Sequence, residues 1–231
     1  MQDKRFPNSQ NDDLSTIMNA SGQKAALESS AASVLKNTYM LLGLTIAFSA
    51  VVAYLSMGMP RPGFMITLIG FYGLFFLTAK LRNSPLGLLS TFALTGFMGY
   101  TLGPLIGAFA GAGAMPVVMN ALGLTAFVFF GLSAYALTTR KDFNFLGGFL
   151  TAGFFVLIGA MVLGMFTQIA GLHLMISAGF VLFSSAAILY QTGSIINGGE
   201  RNYVMATISL YVSIYNIFVS LLSILGMGGD D

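Results

Sequence analysis

The chain has 231 residues, of which 56% are hydrophobic and only 8% charged, and its mean hydropathy is +0.82. Soluble domains carry roughly 25% charged residues, so this composition cannot solvate a globular surface and is read as that of a membrane protein. With no Cys and one His the chain lacks cysteine nucleophiles, disulfides and multi-histidine metal clusters; its ten Lys and Arg, for a net charge of +2, are too thinly spread to track nucleic-acid phosphates. No cofactor, metal or nucleic-acid partner is expected, and the chain is not read as an enzyme.

Eight of the eighteen charges fall in the first 36 residues. That segment is rich in Asn, Ser, Gln and Ala, with neither an apolar core nor the hydrophobic stretch of a cleavable signal peptide. Residues 1–33 are read as a disordered cytoplasmic tail that is retained, and residues 34–231 as a transmembrane domain.

The uncharged intervals then count the spans. Residues 37–60 and 62–79 each suit one helix across a hydrocarbon core that takes about 20 residues. Residues 83–139 and 143–199 are each 57 residues without a charge. Drawn as one helix, each would reach about 85 Å at 1.5 Å per residue, so each must be a hairpin of two spans. Turn residues mark the hidden outer loops: Gly111, Gly113 and Pro116 in the first, residues 168–171 in the second. Residues 202–229 supply the last span. Continuous apolar runs exclude the alternation of a β-barrel, leaving an all-α protein of seven transmembrane helices.

Five of the six prolines lie in the tail or at span boundaries. Pro104 alone falls inside a span, where it removes the hydrogen bond to Tyr100 and is expected to kink the helix or end it early. With the N-terminus inside, nine bases lie on the inner side (Lys4, Arg5, Lys24, Lys36, Lys80, Arg82, Arg140, Lys141 and Arg201) and only Arg61 on the outer. The positive-inside rule therefore puts the N-terminus in the cytoplasm, and seven spans put the C-terminus, with Asp230 and Asp231, in the periplasm.

Three spans carry patterned faces. Gly99, Gly103, Gly107 and Gly111 recur every fourth residue of the third, a ridge for close helix packing. Ser209, Ser213, Asn216, Ser220 and Ser223 form one polar face of the seventh, which must look inward, and Ser177, Ser184 and Gln191 give the sixth a thinner one. Such groups either bond across to neighbouring helices or line a hydrated path. No acid or base lies within a span except His173, which opens the sixth near the outer surface, and this argues against a coupled pump. Ser133, in Gly131-Leu132-Ser133-Ala134, and His173 resemble an intramembrane protease pair, but they are expected most of a bilayer apart. Glu200 and Arg201, beside Gly198-Gly199, are read as serving topology or packing.

Motifs along the apolar body carry a family resemblance. Gly87-Leu88-Leu89-Ser90, Gly99-Tyr100-Thr101-Leu102-Gly103-Pro104 and Ala121-Leu122-Gly123-Leu124-Thr125-Ala126-Phe127 closely resemble the signature of the Bax inhibitor family, also called the transmembrane Bax-inhibitor-motif family. Thr139-Arg140-Lys141-Asp142-Phe143, Gly198-Gly199-Glu200-Arg201-Asn202-Tyr203 and the run from Ala206 to Leu222 resemble its bacterial YccA-like branch. The resemblance implies a multi-pass protein of the bacterial inner membrane and two functions. One is binding to the AAA-type membrane protease FtsH as a poorly degraded substrate that restrains it. The alternative is a pH-sensitive calcium or cation leak, gated in other members by two aspartates that share a proton. Here the family's Tyr-Asp-Thr is Tyr190-Gln191-Thr192, and its Leu-Tyr-x-Asp-Ile is Leu210-Tyr211-Val212-Ser213-Ile214. Gln191 and Ser213 do not titrate in the useful range, although they can form a neutral hydrogen-bonded latch. The expectation is therefore a protease partner, with the polar positions Gln191, Ser209, Ser213, Asn216 and Ser220 as the equivalents of a pore lining.

Overall fold

The computed structural model describes residues 9–167, 169 and 171–227, with side-chain surroundings from Leu27 onward. Seven helices follow in chain order: α1 (Ser9–Leu55), α2 (Phe64–Leu81), α3 (Pro85–Gly111), α4 (Met115–Thr139), α5 (Leu146–Phe166), α6 (Leu172–Ile196) and α7 (Tyr203–Met227). All seven are long and apolar enough to cross a membrane, and the described residues contain no strand. Each 57-residue gap is a helical hairpin, its helices meeting between Gly111 and Met115 in one and between Phe166 and Leu172 in the other. Gly113 holds the first turn at φ 71°, a left-handed conformation that side chains with a Cβ resist. Lys4, Arg5 and Pro7, Gln168 and Ala170 of the second predicted loop, and Asp230 and Asp231 lie outside the described residues.

Where composition predicts no regular structure before Val34, the backbone of α1 is helical from Ser9. Its 47 residues would extend about 70 Å, more than twice a hydrocarbon core. Only Leu27–Leu55 is apolar enough to span, and the polar segment continues that helix beyond it. Alanine, Gln, Lys and Glu in that segment are good helix formers, which accounts for the difference.

Proline position follows its missing N–H. Pro85 and Pro116 sit in the first turns of α3 and α4, where no intrahelical partner is lost, and Pro60 and Pro62 lie in the α1–α2 loop. Pro104 is inside α3, but the helix does not end early: it continues to Gly111.

The bundle is arranged around α7, which packs on α1, α4 and α6 and more lightly on α3. Leu94, Ile188, Ile208, Leu210 and Ile217 are fully buried in one core cluster between these helices. Peripheral α2 rests on α3, and α5 on α6. Their large side chains, among them Phe76, Phe155 and Phe166, face outward, the apolar girdle that a bilayer solvates.

Candidate functional site

The glycine ridge of α3 is a backbone-to-backbone seam with α1. A Cβ built on Gly99 would stand 2.4 Å from the Ser49 carbonyl oxygen, on Gly103 2.0 Å from Ser56 Oγ, and on Gly107 2.2 Å from the Met57 carbonyl oxygen. No side chain fits at those three positions. Gly111, expected as the fourth member, has open space around it, because it ends α3 beyond the reach of α1. Ser56 Oγ lies 3.4 Å from the Tyr100 carbonyl oxygen, the acceptor that Pro104 leaves without its amide partner, but its hydroxyl back-bonds to the Val52 carbonyl at 2.8 Å.

On α7, Ser213 and Ser220 are buried while Ser209, Asn216 and Ser223 are half-buried, so the polar face does look inward. The latch between Gln191 and Ser213 does not form. The Ser213 hydroxyl donates to the Ser209 carbonyl of its own helix at 2.8 Å, and Gln191 Nε2 is buried with no partner. Back-bonding to the preceding turn is the nearest acceptor available to a short hydroxyl, and it removes Ser213 from any cross-helix bond. Thr38, Tyr39, Ser133, Ser184 and Thr192 likewise hold buried hydroxyls without protein partners.

The cross-helix bonds come instead from two tyrosines that the serine pattern overshadowed. The Tyr211 hydroxyl donates to the Thr95 carbonyl at 3.2 Å and pairs with the Ser49 hydroxyl, tying α7 to α3 and α1 at once. One turn on, the Tyr215 hydroxyl pairs with Thr101 Oγ1 at 2.9 Å. One turn before Tyr211, Thr207 Oγ1 lies 3.3 Å from the Thr38 carbonyl, but its hydroxyl back-bonds to the Tyr203 carbonyl at 2.7 Å. A buried tyrosine demands a partner for its hydroxyl, and Tyr211 and Tyr215 at a four-residue step on an inward-facing helix were the available signal.

Three loops meet at the basic end of the bundle. Asn202 caps α7, its Oδ1 accepting the Met205 amide at 3.0 Å, while its Nδ2 donates to Asn83 Oδ1 at 2.8 Å and the Arg82 carbonyl at 3.2 Å. Asn197 Nδ2 reaches the Lys141 carbonyl at 3.4 Å. The α6–α7 loop is thereby stitched to the other two loops at this end. Glu200 accepts the Asn202 amide at 2.7 Å and Arg201 Nε donates to the Gly198 carbonyl, so both shape the loop itself. Gly198, at φ 74°, makes the turn.

Ser133 and His173 stay apart. His173 is the second residue of α6, whereas Ser133 lies eighteen residues beyond the start of the parallel-running α4, a difference of about 26 Å along the helix axis. Among the described residues no group of three or more His, Cys, Asp and Glu is placed to hold a metal ion.

Seven apolar helices, a closed glycine seam and a hydroxyl network between spans define a multi-pass helical membrane protein. The chain belongs to the Bax inhibitor family: the family described as "Inhibitor of apoptosis-promoting Bax1" matches residues 31–230. An uncharacterized protein of Pseudomonas aeruginosa is 67% identical over 202 residues, 86% of this chain and 91% of that one. The Escherichia coli K12 protein named "Modulator of FtsH protease YccA" is 58% identical over 200 residues, again 86% and 91% of the two chains. A homologue of the same identity and coverage in another E. coli strain is named "Inner membrane protein YccA". The present chain is accordingly a YccA-like, multi-pass protein of the inner membrane.

Proposed function

We propose that this protein binds the FtsH membrane protease and restrains it, as a non-catalytic substrate that resists extraction. The observation that carries this reading is the 58% identity, along 86% of the chain, to a protein named as a modulator of that protease. The basic end of the bundle faces the cytoplasm in this reading, by the positive-inside rule, and the polar N-terminal segment projects there.

The packing supports a reason for slow degradation. A ring ATPase that grips the N-terminal segment pulls directly on α1. That helix is held by the glycine seam and by the Ser49–Tyr211 pair, so the force meets an interlocked helix at once. A stalled substrate occupies the protease and spares others. The deciding experiment isolates the tagged full chain from native membranes and asks whether the protease co-elutes. Deleting residues 1–30 should then abolish degradation of this protein by the purified protease in liposomes, and unchanged turnover would refute the tail-gripping mechanism.

The alternative, a pH-sensitive calcium leak, has one feature in its favour: the unpartnered polar groups around Gln191 on α6, which water could satisfy. The titrating pair is absent at positions 191 and 213, so no proton-linked gate is available to these residues. Flux of calcium into dye-loaded liposomes by the unmodified protein would overturn that ordering of the two readings.

A further inference from the structure

Between α1 and α4 lies a cleft of 580 Å³ with α7 and, through Leu102 and Ile106, α3 as its floor. The two walls make no extended contact with each other; each packs on α7 instead. The α1 wall runs from Tyr39 to Met57, about 27 Å at 1.5 Å per residue, and the α4 wall from Met115 to Phe130, about 22 Å. Gly43 and Ala50 on one wall and Met119 and Ala126 on the other are exposed along its mouth. A cleft at this level of a membrane-spanning bundle opens onto hydrocarbon, which leaves neither void nor water in it.

The walls also state what they would accept. Most of the polar groups that reach the cleft are already spent: Thr125 on the Ala121 carbonyl at 2.7 Å, Ser49 on Tyr211, and Tyr215 on Thr101. The exceptions are the Tyr39 hydroxyl, buried and unpartnered at the inner end, and Tyr54, exposed toward the outer end. An occupant therefore gains contact and no directed bonds along nearly all of the length. Width decides among apolar occupants. Spread over the walls, the 580 Å³ open to the centre of a water-sized sphere gives about 21–26 Å², or about 50–60 Å² once the sphere's radius of about 1.4 Å is added, whereas a helix about 10 Å across needs about 80 Å². A polymethylene chain, whose carbons approach neighbours to about 4 Å, needs about 20 Å², so the two of one phospholipid need about 40 Å². Flexible Met57, Met115 and Met119 line the outer end and can adapt to a chain of variable unsaturation.

We propose that the α1–α4 cleft holds the acyl chains of one membrane phospholipid as a tightly retained ligand. Native mass spectrometry of the full-length protein released from mild detergent should find one phospholipid per chain. The double variant Ala50→Phe, Ala126→Phe, which fills the cleft from both walls, should lose it, while Phe155→Ala on the outward face of α5 keeps it. A wild type that retains no phospholipid, or a filled variant that retains as much, would overturn the proposal. So would a filled variant that keeps the lipid but loses co-eluting protease, since the cleft would then seat a partner helix. The chain has no Trp, which supplies a second readout if the filled variant folds poorly. In bilayers containing brominated-chain phosphatidylethanolamine, Met119→Trp should reach half-quenching at a lipid fraction at least about threefold below that of Phe155→Trp. Coincident quenching curves would rule out a retained chain.

Discussion

The two sides of α1 are built by opposite rules. Against α3 it meets Gly99, Gly103 and Gly107 and closes until carbonyl oxygens occupy the space where a Cβ would stand. Against α4 it meets Met119, Leu122 and Phe130, and the helices stay apart over a 580 Å³ cleft. Both sides are apolar, so hydrophobicity does not separate them. In a bilayer, burying apolar surface against protein gains little over burying it in lipid; what closes a helix pair is backbone approach and hydroxyl bonding. Small residues in register with Ser49, Ala53 and Ser56 allow the backbone approach on one side, and the other side has no such register.

The seam should show the largest response. In Gly103→Ala the added methyl meets Ser56 Oγ at 2.0 Å and the Ala53 carbonyl at 2.5 Å, and the second is backbone that cannot swing away. Overpacking of this kind typically costs 1–3 kcal/mol, and a loss near about 3 kcal/mol is expected in reversible unfolding in bicelles. Gly111→Ala, four residues beyond Gly107 in open space, should change stability by less than about 0.5 kcal/mol. Equal losses at the two positions would show that the ridge does not act through close packing.

The number of spans and the two hairpins were legible in the sequence because charges are excluded from the hydrocarbon and so mark its edges. The ridge was legible because a step of four residues returns to one helix face. Its end was not: nothing in the spacing of Gly111 says that α1 has already turned away. The neighbour of the carbonyl freed at Pro104 was hidden for a different reason, since Ser56, 3.4 Å from it, comes from the turn after α1, far away in sequence. Gln191 Nε2 and Ser213 are both buried, but a face pattern cannot tell a cross-helix bond from back-bonding, and Ser213 takes the second. The cleft is a failure of two apolar faces to meet, which leaves no mark in either sequence.

An intermediate effect is expected at the hydroxyl that joins three helices. Tyr211→Phe keeps the ring and its packing but leaves the Ser49 hydroxyl and the Thr95 carbonyl without their shared partner. Stranding buried polar groups costs about 1–3 kcal/mol, reduced here because both can turn to acceptors or donors in their own helices, so a loss of about 1–2 kcal/mol is expected. Tyr54→Phe on the same α1 surface as the cleft, where Tyr54 is 71% exposed, should leave the unfolding curve unmoved. Were the two tyrosines to respond alike, the network would hold no more than the lipid-facing surface does.

The smallest effect carries the sharpest test, because its sign should reverse. Gly43 stands within α1 on the cleft wall, with nothing within 4 Å of the position its Cβ would take. Glycine there serves no close approach, and replacing it by Ala removes the backbone freedom that an interior helical Gly gives the unfolded chain, a gain of roughly 0.5–1 kcal/mol. The same substitution is thus expected to destabilise at Gly103 and to stabilise at Gly43, on the two sides of one helix. A single methyl does not fill the cleft, so the retained phospholipid should survive Gly43→Ala even as the unfolding midpoint rises. Destabilisation at Gly43 would mean that α4 approaches α1 more closely in the bilayer than the 580 Å³ opening implies, and the contrast between the two sides would disappear.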